Sequence, residues 1–231
     1  MTVTGNVFHD PLSSDFLHAP LVLVSNEHVL DSKVPLQLQI LPATQSATNN
    51  RYIVATVADF PQPLYWWTWM DGGIKLFNAS GFVASDIGEI KQSNIKESDI
   101  VCQLARKGML TTKWTLHNGT DQVHVYRAKD KVIKGKQLEL SMELVMNEKQ
   151  AEQAPDSYRM VTATVNGAGN KMSVHVDKQV AARATREGQL EIAPGVDVVG
   201  AIAALALAHT KSREEGRRFF EWEGTALRLI S

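Results

Sequence analysis

An apolar run at residues 194–209, "PGVDVVGAIAALALAH", constrains the fold of this chain more than any other segment. Between Val196 and Ala208 the only charged residue is Asp197, and the others are Val, Ile, Leu, Ala or Gly. A membrane-spanning helix needs about 20 apolar residues, and runs of about 10–14 are more often buried helices. Because a helix that is apolar on every face must be buried on every face, the run predicts a helix inside a protein core.

The chain before this run has the pattern of strands joined by tight turns. Turn signals separate strand-like runs at Asp71-Gly72-Gly73, Asn118-Gly119 and Asn166-Gly167. Asp-Gly and Asn-Gly tolerate the positive φ that short hairpin turns require. Three such signals, each flanked by β-branched or aromatic residues, favour antiparallel β architecture.

Strand patterns continue along the chain. In residues 34–41, Leu36, Leu38 and Ile40 alternate with glutamines, as in a half-buried strand. Roughly ten to twelve strands are expected, which is enough to close a barrel. The other predicted strands cover residues 20–30, 51–60, 81–88, 99–107, 136–145 and 179–186.

The helix and the strands together predict the fold class. In an all-β chain, one place that surrounds a helix is the inside of a closed antiparallel barrel. Pro194-Gly195 interrupts the strand before the helix, and Asp197 stands where it can cap the helix N-terminus. The many alanines and Gly200 suit a helix that lies close to a barrel wall. The expected fold is therefore mainly β, with about twelve strands around a central hydrophobic helix.

Composition limits the classes of protein to consider. The chain has 231 residues, a length at which β-barrels are often single domains. Lys and Arg total 24 against 25 for Asp and Glu, which argues against a general nucleic-acid binder. Cys102 is the single cysteine, so no intrachain disulfide forms, and the N-terminus lacks the pattern of a secretory signal. These features predict a cytoplasmic protein without a transmembrane span, peripheral at a membrane if it binds lipid.

Several segments, in this order, resemble a known family. They are "IKLFNASGFVASDIG" (74–88), "VCQLARKGMLTTKWTLHNG" (101–119), "DKVIKGKQLEL" (130–140), "KQVAARATR" (178–186) and "GQLEIAPGVDVVGAIAALALA" (188–208). In them the chain resembles the tubby C-terminal-like superfamily, and most closely its LURP-one-related branch; phospholipid scramblases are more distant members. The last segment, with its closing strand, Pro-Gly-Val-Asp turn and helix, is the most specific.

The resemblance implies both a fold and a function. The family fold is a closed antiparallel barrel of about twelve strands threaded by a hydrophobic helix. It would make residues 1–231 a single domain, with a core at about 20–210 and a C-terminal extension at 211–231. Tubby-like domains bind membrane phosphoinositides through basic residues on the barrel exterior, so a similar binding mode is implied for this chain.

A basic segment between residues 106 and 136 points the same way. Acidic residues concentrate in the segment that follows it, residues 139–156. Basic residues near an anionic membrane surface contribute about 1 kcal/mol each. The alternative is a solvated hairpin with ordinary surface lysines. The candidate lipid- or anion-binding residues are Arg106, Lys107, Lys113, Arg127, Lys129, Lys131, Lys134 and Lys136.

Aromatic residues offer a second kind of contact site. In the tail, Arg217 and Arg218 precede Phe219, Phe220 and Trp222, a composition that suits an interfacial anchor or a protein contact. Covering one end of the barrel is the simpler interpretation of these aromatic residues.

The same choice applies to a tryptophan cluster in "YWWTWM" (65–70). Because Trp66 and Trp67 are neighbours in a predicted strand, they point to opposite faces. Strand packing is the simpler interpretation, and a contact role for whichever of the two is exposed is the alternative.

Motifs for catalysis and for metal or cofactor binding are not found. No histidine belongs to a metal-binding signature, and no nucleophile elbow or phosphate-binding glycine loop is present. Cys102 is interpreted as a buried, unreactive thiol. The sequence therefore predicts a non-enzymatic binding module without cofactor or metal. Two hypotheses remain: docking on anionic lipid, or a protein-interaction or structural module that uses the outer wall or the tail.

Overall fold

A computed structural model of the chain describes residues 11–43, 51–91, 94–106, 113–119, 121–133, 137–146, 159–165 and 171–214. Strands dominate these residues, so the prediction of a mainly β fold is confirmed. The helices are α1 (Ala84–Glu89) and α2 (Val198–Glu214). The strands are β1 (Leu36–Pro42), β2 (Arg51–Thr56), β3 (Pro63–Met70), β4 (Gly73–Asn78), β5 (Ile100–Arg106), β6 (Lys113–Asn118), β7 (Asp121–Ile133), β8 (Gln137–Met146), β9 (Arg159–Val165), β10 (Lys171–Val176), β11 (Gln179–Thr185) and β12 (Gln189–Ile192).

Every one of these strands pairs antiparallel with its neighbours in the chain. β1 pairs with β2 on one side and with β12 on the other, where Leu36 lies opposite Ile192 and Leu38 opposite Leu190. The strand order is that of a closed barrel. We call the end where α2 begins the entry end; its described residues are 11–35, 57–62, 79–83, 96–99, 177–178 and 193–197. The exit end, where α2 ends, comprises residues 71–72 and 186–188 and the adjoining ends of the strands.

Helix α2 lies in the middle of the main apolar cluster. Residues 198–209 are all buried, and they pack against inward-facing side chains of the wall such as Trp67, Trp114 and Leu38. The prediction of a helix buried on every face is thus confirmed. Near its C-terminal end, His209 Nε2 lies 2.9 Å from the Tyr52 hydroxyl, which comes from the start of β2. This contact places the end of the helix at the exit end.

Asp197 caps α2, as predicted, and also anchors a second segment. Its Oδ1 accepts a hydrogen bond from the Gly200 N–H at 2.9 Å, which satisfies a donor of the first helical turn. Its Oδ2 accepts from the backbone N–H groups of Leu23, Val24 and Ser25 at 3.1, 2.6 and 3.1 Å. The carboxylate is completely buried. Asp197 therefore joins the helix start to the segment that closes the entry end.

That closing segment is not a strand, so the strand predicted at residues 20–30 is wrong. It contains a 3₁₀ turn at Asn26–His28 and two isolated bridges, Leu21 to Val196 and Val29 to Asp197. Its apolar residues face the core as a strand's would. The backbone N–H groups of residues 23–25, however, donate to the Asp197 carboxylate instead of to a neighbouring strand. The segment therefore crosses the end of the barrel and does not join the sheet.

A second correction concerns residues 81–88, which were also predicted as a strand. They contain α1, preceded by a turn in which Gly81 has a φ of 90°. Ile87 on α1 covers a smaller apolar cluster on the outer faces of neighbouring strands, with Ile53, Trp66 and Phe77. These outward side chains are apolar and are stable only when they are removed from water. Residues 79–91 and 94–99 leave the sheet and bury them.

The hairpin turns contain residues with positive φ, and only some of these residues could be predicted from the sequence. Asp71 and Gly72 have φ values of 53° and 75°, so the predicted turn between β3 and β4 is confirmed. At the second predicted turn, Gly119 has a φ of 57°. The turn at Asn166-Gly167 lies outside the described residues. A further turn with positive φ at Asp177 and Lys178 contains no glycine and was not foreseen.

We expect Asp197→Asn and Asp197→Ala to lower the free energy of unfolding by about 3 kcal/mol or more. Buried hydrogen bonds to a charged group contribute about 1.5–3 kcal/mol each, and the N–H groups would lose their acceptor. Urea unfolding measures the change. As a control, Asp59→Asn at an exposed loop position should stay within about 0.5 kcal/mol of the wild type. Equal stability of Asp197→Asn and the wild type would contradict the anchoring role.

Gly200→Ala is expected to destabilise the fold although alanine is the better helix former. A Cβ at this position would lie 2.3 Å from Cβ of Leu23, an overlap of the kind that costs about 1–3 kcal/mol. In a Leu23→Gly background, which removes that Cβ, the same change should be neutral or stabilising, because helix propensity alone favours alanine by about 1 kcal/mol. A double-mutant cycle in urea tests this, and an unchanged cost in both backgrounds would refute it.

Candidate functional site

The basic residues singled out in the sequence divide between described strands and undescribed connections. Arg106 is the exposed last residue of β5, and Lys113 is the first residue of β6. Arg127, Lys129 and Lys131 belong to β7. Lys107, Lys134 and Lys136 lie outside the described residues.

Strand register changes the interpretation of this segment. The first part of the acidic stretch that follows it in sequence belongs to β8, which folds back along β7. Arg127 lies opposite Glu143, and Lys131 lies opposite Glu139. Directly opposed positions in antiparallel strands have Cβ atoms about 4.5–5.5 Å apart. The register therefore places part of the basic segment opposite residues of the acidic segment.

Further charged residues lie at the ends of the barrel. Arg106 and Lys113 are at strand termini of the exit end, next to the undescribed β5–β6 connection that contains Lys107. Asp71 at this end forms an ion pair with Lys75 at 2.8 Å. Charged residues at the exit end within the described ranges include Arg51, Arg106, Lys113, Lys171, Arg186, Asp71 and Glu187.

The entry end has the opposite balance. Acidic side chains outnumber basic ones in its described segments, and all of those named next are exposed. The acidic residues are Asp15, Glu27, Asp31, Asp59, Glu97, Asp99 and Asp177, and the basic ones are Lys33, Lys96 and Lys178. The barrel is therefore polarised along its axis, acidic where α2 begins and basic where it ends.

Arg51 is held by the wall of the barrel. One guanidinium nitrogen donates to the Ile87 carbonyl at 2.9 Å, and the group lies 5.6 Å from the centre of the Trp66 ring. Burial lowers the pKa of Arg51 from its ordinary value. Arg51 thus fixes α1 to the outer wall, and the basic character of the exit end rests on the other residues.

Neither tryptophan of the Trp66-Trp67 pair is a surface contact, which corrects that alternative. Trp67 points into the barrel and stacks on Tyr52 with ring centres 5.0 Å apart. Trp66 points outward but is only 3% exposed, because α1 covers it and it stacks on Phe77 at 4.2 Å. The simpler interpretation, strand packing, is correct for both.

Exposed apolar side chains occur elsewhere, at positions that the sequence analysis missed. Within the described residues, the large exposed hydrophobic side chains all lie at the entry end. The sequence pattern predicts continuous strands at residues 51–60 and 81–88. In the structure, residues 57–62 and 79–83 are loops, and their apolar side chains are therefore exposed. The residues are Leu17, Val34, Val57, Phe60, Phe82 and Val83.

The one thiol of the chain is buried. Cys102 is 1% exposed and faces the interior, which confirms its interpretation as a buried thiol. Burial, and secondarily the Asp197 carboxylate, raise the pKa of Cys102 well above its ordinary value. Among the described residues, no cluster of three or more His, Cys, Asp or Glu side chains is placed to hold a metal ion.

Comparison of the chain with protein-family models, with curated proteins and with solved structures returns no match. The resemblance to the tubby C-terminal-like superfamily therefore stays a prediction from the sequence. No helix within the described ranges is both long enough and apolar enough to cross a bilayer.

We expect the Cys102 thiol to react with a disulfide reagent at pH 8 at least about 1,000-fold more slowly in the folded chain than in denaturant. The folded state retains the proton, whereas the unfolded thiol loses it above its ordinary pKa of 9.0. The Cys102 contribution to stability is thus present below about pH 9 and is lost as the pH rises further. Absorbance of the released thiolate measures the rate.

A matched control places the thiol at the surface. In Ser98→Cys/Cys102→Ala the new thiol occupies an exposed position, and we expect it to react within the mixing time. Rapid stoichiometric labelling of the folded wild-type chain would contradict the buried placement of Cys102.

Proposed function

We propose that this chain is a tubby C-terminal-like barrel that acts as a non-enzymatic binding module for anionic membrane lipid of the phosphoinositide type. The observation that carries the proposal is the basic exit end, set against an acidic entry end. In the described part of this end, Arg106 ends β5 and Lys113 begins β6. In the sequence, Lys107 follows β5, and Lys134 and Lys136 lie between β7 and β8. A membrane surface is broad enough to contact several such strand ends at once.

We place the lipid contact on the outer surface of the barrel. The interior is filled by α2, so a ligand has to use the outer surface. On the β7–β8 wall, Arg127 and Lys131 have Glu143 and Glu139 as cross-strand neighbours, which lowers the net positive potential there. Lys129 lies opposite Ser141, and the residues two positions to either side of Ser141 are Glu139 and Glu143. We therefore assign the main lipid contact to the exit end rather than to the middle of β7.

A second candidate function, binding of a protein partner, has its own supporting observation. Exposed apolar side chains gather at the entry end, whose acidic surface disfavours contact with an anionic membrane. The two functions use opposite ends and are compatible in one molecule.

Replacement of Arg106, Lys107 and Lys134 by Gln is expected to weaken binding to phosphoinositide-containing vesicles about 100-fold. Each basic residue near an anionic surface contributes about 1 kcal/mol, and 1.4 kcal/mol is a factor of ten. Vesicle sedimentation over a lipid titration measures the affinity. Binding should also weaken as salt rises, because these charges are exposed.

The control removes the same number of positive charges from the entry end, as Lys33→Gln/Lys96→Gln/Lys178→Gln. This variant should bind as the wild type does, and urea unfolding should find both triple variants folded. Equal losses in the two variants, or equal binding of the wild type to neutral phosphatidylcholine vesicles, would overturn the proposal.

A further inference from the structure

Exposed apolar side chains of three adjacent segments form one strip at the entry end. Val34 precedes β1, Val57 and Phe60 lie between β2 and β3, and Phe82 and Val83 follow β4. Their exposed fractions are 66%, 60%, 73%, 44% and 59%, respectively. We call these five residues the entry rim. Because β1 to β4 are consecutive neighbours in the barrel, the three segments lie side by side.

Hydrogen bonds hold these segments in place beside one another. The Thr56 N–H donates to the Gln62 carbonyl at 3.1 Å and closes the loop that carries Phe60. The Ala79 N–H donates to the Leu64 carbonyl at 2.9 Å and ties the next segment to it. The Gln39 side chain donates to the Thr56 carbonyl at 2.8 Å. These bonds fix the backbone of the entry rim, and exposed apolar side chains gathered on neighbouring segments are typical of an interaction site.

Charge around the entry rim defines the chemistry of its partner. Asp31 and Asp59 are exposed within two or three residues of Val34, Val57 and Phe60, and Lys33 is the basic residue of these two loops. A complementary partner presents apolar side chains together with basic ones. The chain contains such a segment beyond α2, where Arg217 and Arg218 precede Phe219, Phe220 and Trp222.

Chain length decides whether this segment reaches the entry rim of its own molecule. α2 ends with Glu214 at the exit end, and its 17 residues span about 25 Å from the entry end. Phe219 and Phe220 follow Glu214 by five and six residues, which reach at most about 20 Å when fully extended. Phe219 and Phe220 therefore cannot reach the rim of their own molecule, whereas they can reach the rim of a second copy.

We propose that the segment Arg217–Trp222 of one copy binds the entry rim of a second copy, with the arginines near Asp31 and Asp59 and the aromatic side chains against Phe60 and its apolar neighbours. The contact joins different surfaces of the two copies. Repeated, it builds a head-to-tail assembly that either closes into a ring or continues as a filament. The proposal does not depend on lipid binding.

The experiment uses the full chain in the absence of lipid and measures its mass by sedimentation velocity over a wide concentration range. The wild type is expected to show concentration-dependent association. One variant reverses the rim charges, Asp31→Lys/Asp59→Lys, and another reverses the tail charges, Arg217→Glu/Arg218→Glu. Each alone should associate at least about tenfold more weakly than the wild type, since like charges then face each other across the contact.

Mixing the two variants is the decisive step. The unaltered tail of the first fits the unaltered rim of the second, so association should return in the mixture; this recovery also shows that both variants are folded. A third variant, Phe219→Ala/Phe220→Ala, should lose association without a change in charge. A wild type that is monomeric at every concentration, or a mixture that stays as weak as its components, overturns the proposal. Tail binding within one molecule would appear as the first of these results.

Discussion

The buried carboxylate of Asp197 is the interaction on which the rest of this structure depends. A charged group removed from water is tolerated only where hydrogen bonds replace its hydration. Here the backbone N–H groups of residues 23–25 and of Gly200 do so. One side chain thus begins the central helix and fixes the segment that closes the entry end. Its charge also contributes to the raised pKa of Cys102 and of Tyr65, although burial is the larger cause for both.

A filled interior moves recognition to the outside of the barrel, and the two ends of the barrel differ in chemistry. Antiparallel pairing is the reason why the wall between them is less distinctive. It folds the acidic β8 against the basic β7, so that Arg127 and Lys131 acquire glutamates as neighbours. Strand termini have no such obligatory partner. Arg106 at the exit end and Asp59 at the entry end therefore keep the charge that distinguishes these surfaces.

Structural features that depend on local geometry could be predicted from the sequence. Features that depend on residues distant in the chain could not. The alternation of Leu36, Leu38 and Ile40 predicted β1, because a strand exposes only every second residue to the core. The apolar residues at 20–30 and 81–88 also looked like strands. In both places a remote demand decided the outcome, the Asp197 carboxylate in one and the apolar outer wall in the other. The burial of Trp66 has the same origin, because α1 covers it.

By itself, the sequence determined that this protein is mainly β, that one helix is buried on every side and that Asp197 begins that helix. Each of these properties follows from the free energy of placing a local run of side chains in or out of water. Only the tertiary structure decided which acidic residues compensate the basic segment, which loops expose apolar side chains and which end of the barrel carries each charge. These properties depend on strand register and on the order of strands around the barrel, which bring together residues that are far apart in the chain.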